Sequence, residues 1–359
     1  IYVNRSLNFG DITWIGFDLD HTLACYNKET FESMSFDLAV KKLIEKGYPK
    51  EIQNLEYSPN NIIRGLLLDK AKGNIIKIDE HRYVKTAYHG RQLLSKKDRY
   101  KLYNSKRLRF VDTESVDTFF HLSVALLYMF IVDYYAKKNN KLSNKRYNKI
   151  YLDITEAVDL SHNDNSIKSR VLGSPEEFIL KDKNLLSTLL TLKMSGKSLF
   201  LLTNSPWHYA CKVMDYIFAE EFNDEFHWSE LWDCIICSAN KPDFFVSDKK
   251  FGAHKSKSIN YLTSGSAAEF EKLINVYSGD ILYVGDHLYG DIVRSKEAVN
   301  WRTMMLLPEI EDEIVLLKKF KNINKNILDL IEKKDLIESK IEQIIKSGIG
   351  KIEIKKFIN

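Results

Sequence analysis

The chain has 359 residues, with 53 Lys+Arg against 49 Asp+Glu and a formal net charge of +4. That length buries a sizeable core, and 44% hydrophobic with 28% charged residues excludes wholesale disorder. The charge is too mild to predict a nucleic-acid partner, and four cysteines are too few for a disulfide-stapled fold.

Residues 12–17 form an apolar stretch that stops abruptly at Asp18-Leu19-Asp20-His21-Thr22. A nearly continuous apolar run of this length predicts a strand buried on both faces of a parallel sheet. From about 36 to 170 the strand–helix alternation breaks. A basic helix over 38–46, a β-like unit at 65–88 and an apolar helix near 116–136 predict an inserted α+β lobe. It rejoins through the polar stretch 161–166. The apolar run 119–132 falls short of the roughly 18–20 residues that span a bilayer, so no membrane partner is expected.

Beyond the lobe the alternation resumes. A helix over 184–193 closes at Gly196, and the strand 198–202 runs into Thr203-Asn204-Ser205-Pro206. A helix over 208–219 follows, then the strand 234–237 leading to Lys241-Pro242, then the strand 281–284 leading to Gly285-Asp286. The fold expected is α/β: a Rossmann-like parallel sheet with helices on both faces, from 1–35 and 171–308. To it are added a lobe at 36–170 and a helical tail at 309–359. In such sheets ligands bind outside the carboxyl ends of the strands, where these endings converge. In the tail Ile323, Ile327, Leu330, Ile337, Ile341 and Ile344 recur at helical spacing, with Lys334 in the skipped place. That seam predicts a homo-oligomer.

Two carboxylates two residues apart beyond a buried strand raise one another's pKa or recruit a cation. If Asp286 and Asp291 reach the same edge, the resulting oxygen-rich cluster suits Mg²⁺. The triplet Gly196-Lys197-Ser198 lacks the upstream glycine of a P-loop, because Thr191 stands there, and it precedes its strand. Cys234-x-x-Cys237 has no second pair to complete a zinc site and reads as two buried thiols.

Asp18-Leu19-Asp20-x-Thr22, Thr203-Asn204-Ser205, Lys241 and Gly285-Asp286-x4-Asp291 resemble, in order, the four motifs of the haloacid dehalogenase superfamily. Val3-Asn4-Arg5-Ser6-Leu7, Arg64-Gly65-Leu66, Gly73-Asn74-Ile75-Ile76-Lys77 and Tyr283-Val284-Gly285-Asp286-His287 resemble segments of its cytosolic purine (IMP/GMP-type) 5′-nucleotidases. The resemblance implies a haloacid-dehalogenase-like core and a cytoplasmic, Mg²⁺-dependent phosphoric monoester hydrolase acting on nucleoside 5′-monophosphates. Asp18 would be the nucleophile and Asp20 the general acid and base. Asp18, the backbone carbonyl of Asp20 and Asp286 would hold the metal, with Asp291 orienting the site or binding through water. Thr203, Asn204 and Lys241 would hold the phosphate.

In the lobe, His89, Arg91, Arg109, Asp112 and Thr113 resemble segments that contact the nucleoside. His21 stands where this branch commonly has Tyr and is expected to pack. Arg91 stands where an aromatic residue is frequent, which weakens the case for purine preference. Two other functions are compatible with these residues: a phosphatase of the same mechanism acting on another ester, or an interaction protein that keeps the fold.

Overall fold

The structure, a computed structural model, is described for residues 7–57, 62–79, 81–103, 113–117, 119–138, 142–220, 227–256 and 259–346. The segment 3–6 and two of the expected lobe residues, Arg109 and Asp112, lie outside these. Residues 1–305 form one compact unit and 306–359 another.

The central sheet has seven strands in the order Phe251–Ser256, Ile259–Ser264, Cys234–Cys237, Ser198–Leu202, Trp14–Phe17, Ile281–Gly285 and Arg302–Met305. All neighbours pair in parallel except Phe251–Ser256, which runs antiparallel at one edge. The α/β expectation is met, and the motif-bearing strands Cys234–Cys237, Ser198–Leu202, Trp14–Phe17 and Ile281–Gly285 lie side by side. Phe200, Leu202, Ile236 and Tyr283 join Phe244, Phe270 and Trp301 in one buried cluster. Gly16 is needed there: a Cβ on it would stand 2.1 Å from the Phe200 ring.

The expected basic helix starts ten residues earlier than its charge pattern suggests. It runs Lys28–Glu45, with the Asn27 side chain accepting from the Thr30 N–H at its start. Phe36, Ala39, Val40 and Leu43 point from this helix into a second buried cluster, shared with the helices Phe119–Lys137 and Asn144–Asn163. Residue 36 therefore falls inside a helix and not in a linker. The β-like unit is a five-stranded antiparallel sheet, ordered Gln92–Leu93, Val84–His89, Asn74–Ile78, Leu67–Asp69 and Thr113–Ser115.

In the tail unit, helices Glu309–Lys319 and Lys321–Lys346 follow one another. Ile323, Ile327, Leu330 and Ile337 of the expected seam are exposed. Among the described residues no helix is long and apolar enough to cross a membrane.

Candidate active site

The strand register brings the motif residues together. Phe17 lies opposite Leu201 on one side and Val284 on the other, so the residues just beyond these strands are neighbours. The Asp18 N–H donates to the Val284 carbonyl at 3.0 Å, and the Thr203 N–H to that of Ile236 at 2.9 Å. Asp18, Thr203, Lys241 and Asp291 are all buried.

Lys241 is the hub. Its Nζ stands 3.0 Å from Asp18 Oδ1 and 2.8 Å from Asp291 Oδ1, and donates to the Tyr283 hydroxyl at 2.7 Å. The Tyr283 hydroxyl in turn donates to the Leu202 carbonyl at 3.0 Å. Asn204 fixes the Lys241 backbone from both sides. Its Oδ1 accepts the Lys241 N–H at 2.6 Å, and its Nδ2 donates to the Lys241 carbonyl at 3.0 Å. Burial works against the Lys241 charge, but the Asp18 and Asp291 carboxylates outweigh it and hold the ammonium above its ordinary pKa.

Asp18, Asp286 and Asp291 each offer an oxygen within 4.8 Å of the others. A Cβ on Gly285 would stand 2.6 Å from Asp291 Oδ2, so only glycine lets that carboxylate approach the strand end. Burial pushes the Asp18 carboxyl well up, and Lys241 pulls against it. Asp286 is pushed up to about 7 by burial and by the Asp291 charge. Two buried carboxylates and a half-buried third, Asp286, are an all-oxygen donor set beside one lysine and suit a hard divalent cation.

Asp20 is turned away from that cluster. Its Oδ1 accepts from the Tyr26 hydroxyl and its Oδ2 from the Ser205 hydroxyl, both at 2.6 Å. Tyr26 also meets the Tyr209 hydroxyl at 2.7 Å. His21 packs its ring against Tyr26 and Phe31, as expected. Thr203 Oγ1 accepts the Ser205 N–H at 3.0 Å, which leaves the Thr203 hydroxyl hydrogen to donate elsewhere.

The sequence pattern of the 5′ nucleotidase family matches residues 1–355. The chain belongs to this family. A 5′-nucleotidase domain-containing protein of Dictyostelium discoideum is 28% identical over 94% of this chain and 60% of its own length. The 5′-nucleotidase domain-containing protein 2 of Homo sapiens is 30% identical over 88% of this chain and 64% of its own. The chain thus spans under two thirds of both relatives. An archaeal β-phosphoglucomutase structure from Pyrococcus sp. strain ST 04 aligns at a TM-score of 0.40 and 13% identity, covering 82% of this chain and 87% of that one. That likeness is too distant to carry weight. Membership of the 5′ nucleotidase family agrees with the superfamily to which the motif order points.

Three of the expected nucleoside contacts of the 5′ nucleotidase family lobe, His89, Arg91 and Thr113, fall among the described residues. His89 Nδ1 meets Asn74 Oδ1 at 2.8 Å, and its Nε2 meets the Tyr147 hydroxyl at 3.4 Å. Arg91 Nε pairs with Asp133 at 2.9 Å. Thr113 is buried opposite Asp69 in the lobe sheet. The partners of His89 and Arg91 thus lie within the lobe.

Other residues of 36–170 act on the motif edge, and sequence reasoning missed them. His121 pairs with Asp117 at 2.9 Å, and Asp117 is held below the ordinary carboxyl range by that hydrogen bond, with His287 contributing. Lys168, on the helix Ser166–Gly173, is half-buried with its ammonium 5.5 Å from the Tyr209 ring centroid. Burial lowers its pKa, while Asp20 favours its charge. Tyr26 and Tyr209 sit close to the quoted motifs. For Lys168, only the folded chain reveals the placement.

Proposed function

We propose that this protein is a Mg²⁺-dependent phosphomonoesterase that hydrolyses nucleoside 5′-monophosphates, purine ones foremost, through phosphorylated Asp18. The observation that carries the reading is Lys241 bridging Asp18 and Asp291 at the edge where Asp286 completes an acidic triad. Family membership supports the substrate class; the motif resemblance favours purines, against which Arg91 in place of an aromatic residue counts.

Asp18 Oδ1 accepts the Leu19 N–H at 2.7 Å and the Lys241 ammonium, which leaves Oδ2 as the attacking oxygen. That oxygen forms a bond to phosphorus while the bond from phosphorus to the ribose 5′ oxygen breaks. Asp20 delivers its proton to the departing oxygen, then takes one from the water that attacks the aspartyl-phosphate. Cleavage of the Asp18–phosphorus bond releases phosphate and restores both acids. Asp18, the Asp20 carbonyl and Asp286 would hold Mg²⁺, oriented by Asp291, and the ion supplies positive charge against the phosphate dianion. Lys241, the Thr203 hydroxyl and the Asn204 N–H would hold the phosphoryl oxygens. Lys168, beside Asp20, would contact the leaving-group side of the substrate.

The lobe at 36–170 would act as the cap over this edge. The exposed tail seam favours pairing with a second copy, which light scattering tests: a monomer mass at micromolar concentration removes that part of the reading. The four cysteines are free, in keeping with a cytoplasmic location.

Phosphate release from a panel of nucleotides and sugar phosphates, with and without Mg²⁺, tests the function. Release that requires Mg²⁺ and is lost in Asp18→Asn supports it. No release, or equal release by Asp18→Asn, overturns it. Faster release from a sugar phosphate than from IMP or GMP reassigns the site to another ester.

A further inference from the structure

A cavity of about 320 Å³ opens within the lobe, lined by no residue of the four core motifs, though Arg91, expected from the resemblance to meet a nucleoside, is among its walls. Its construction follows from the antiparallel register. Ile75 pairs with Tyr88 and Lys77 with Thr86, so these side chains share one face of the sheet. Ile76 and Ala87 belong to a separate cluster. Buried Ile75 and Met129 contribute apolar surface, Tyr88 adds a ring that is 40% exposed, and Lys77 and Arg91 bring the charge. No acid is among the described residues that line it.

Arg91 is set in place before any ligand arrives. Its Nε pairs with Asp133 at 2.9 Å, its N–H donates to the same carboxylate at 3.3 Å, and its guanidinium lies 5.3 Å from the Phe130 ring centroid. Gly90 makes this possible, with φ at +55° and space so tight that a Cβ would stand 2.6 Å from the Asp133 backbone. Asp133 also takes Lys137 at 3.0 Å. Lys77 is exposed and, among the described residues, has no ion pair. The helix Phe119–Lys137 links two regions. His121 lies near its start, and Met129 lies two turns on, about 12 Å further at 1.5 Å per residue.

We propose that this cavity is a binding site for a small anion with a flat apolar body: an aromatic carboxylate, sulfonate or phosphate ester. The body would lie on Ile75 and Met129 against the Tyr88 ring, with the anionic group meeting Lys77 and the free guanidinium nitrogens of Arg91. The volume is at the lower end for small-molecule pockets, which suits one ring system with one charged group. Two cations and no acid among the described lining residues favour an anion, and the apolar floor disfavours inorganic anions alone. The site is separate from the motif edge, so it stands or falls independently of the phosphatase reading.

The test is methyl NMR on the full chain labelled at methionine. The chain has six methionines, and Met129→Leu assigns the reporter. Naphthalene-1-sulfonate should shift the Met129 methyl saturably, and Lys77→Glu should weaken that binding about tenfold or more. Naphthalene-1-methanol, with the same ring and no charge, should bind more weakly to the wild type. The other five methyl signals confirm that Lys77→Glu is folded. A Met129 signal that does not move, equal affinity in Lys77→Glu, or equal affinity for the neutral alcohol would each overturn the proposal.

Discussion

The ammonium of Lys241 stands 2.8 Å from Oδ1 of Asp291, and both side chains are almost wholly buried. Such a pair is expensive to break from one side, because the remaining charge has no solvent to turn to. Lys241→Met should therefore lower stability by about 3–5 kcal/mol in the absence of Mg²⁺. Urea denaturation measures this. Mg²⁺ should recover part of the loss, since it supplies positive charge to the same acids. An unchanged midpoint would show that the pair contributes nothing.

Asn204 holds both main-chain groups of Lys241 while its own side chain sits in an exposed position. Asn204→Ala should let the lysine drift from Asp18 without opening the core. At about 0.5–1.5 kcal/mol for each of two hydrogen bonds, the loss in kcat should be about tenfold. The melting temperature should change by only a few degrees. A large stability loss with normal kcat would reverse the assignment.

Asp20 receives a hydroxyl on each oxygen, from Tyr26 and Ser205. If these hydroxyls aim the acid at the departing oxygen, Tyr26→Phe should slow phosphoryl transfer most where the leaving group needs a proton. Rapid-quench measurement should show transfer from a nucleoside monophosphate falling about tenfold or more. The initial burst of nitrophenolate from p-nitrophenyl phosphate should be nearly preserved. Equal slowing of both would mean that Tyr26 acts only on packing.

Burial, with the Asp291 charge, pushes the Asp286 carboxyl from its ordinary 3.8 up to about 7. Between these values the unfolded chain releases a proton that the metal-free fold retains. The folded state thus binds more protons, and this group's contribution to stability declines as pH rises from about 4 to 7. Metal binding must displace that proton. Mg²⁺ should therefore bind more tightly as pH rises to about 7 and level off above it. Thermal shifts with Mg²⁺ at pH 5.5 and 8 test the sign: the larger stabilisation belongs at pH 8.

The strand endings were legible because a doubly buried strand writes a continuous apolar run, and its polar stop marks the site edge. Asp18, Thr203 and Asp286 follow from that grammar, and the register then brings them together. The helix Lys28–Glu45 was only partly legible because charged residues interrupt its apolar face, and its start depends on the Asn27 cap. The lobe was least legible. His89 and Arg91 lie close together in sequence, but no local spacing points to their partners in the fold, Asn74, Tyr147 and Asp133. Lys168 reaches Tyr209 only through tertiary packing, which no local spacing encodes. Cys237 is buried as expected and Cys234 only half-buried; burial pushes both thiols up to about 12, which suits packing and not redox chemistry.

The central claim is that Asp18 itself takes the phosphoryl group. Acid quenching during turnover of a nucleoside monophosphate with Mg²⁺, followed by borohydride reduction and peptide mapping, measures this directly. The account predicts a reduced residue at position 18 that is absent without substrate. Phosphate release with no modification at Asp18, or with modification at another residue, would contradict it.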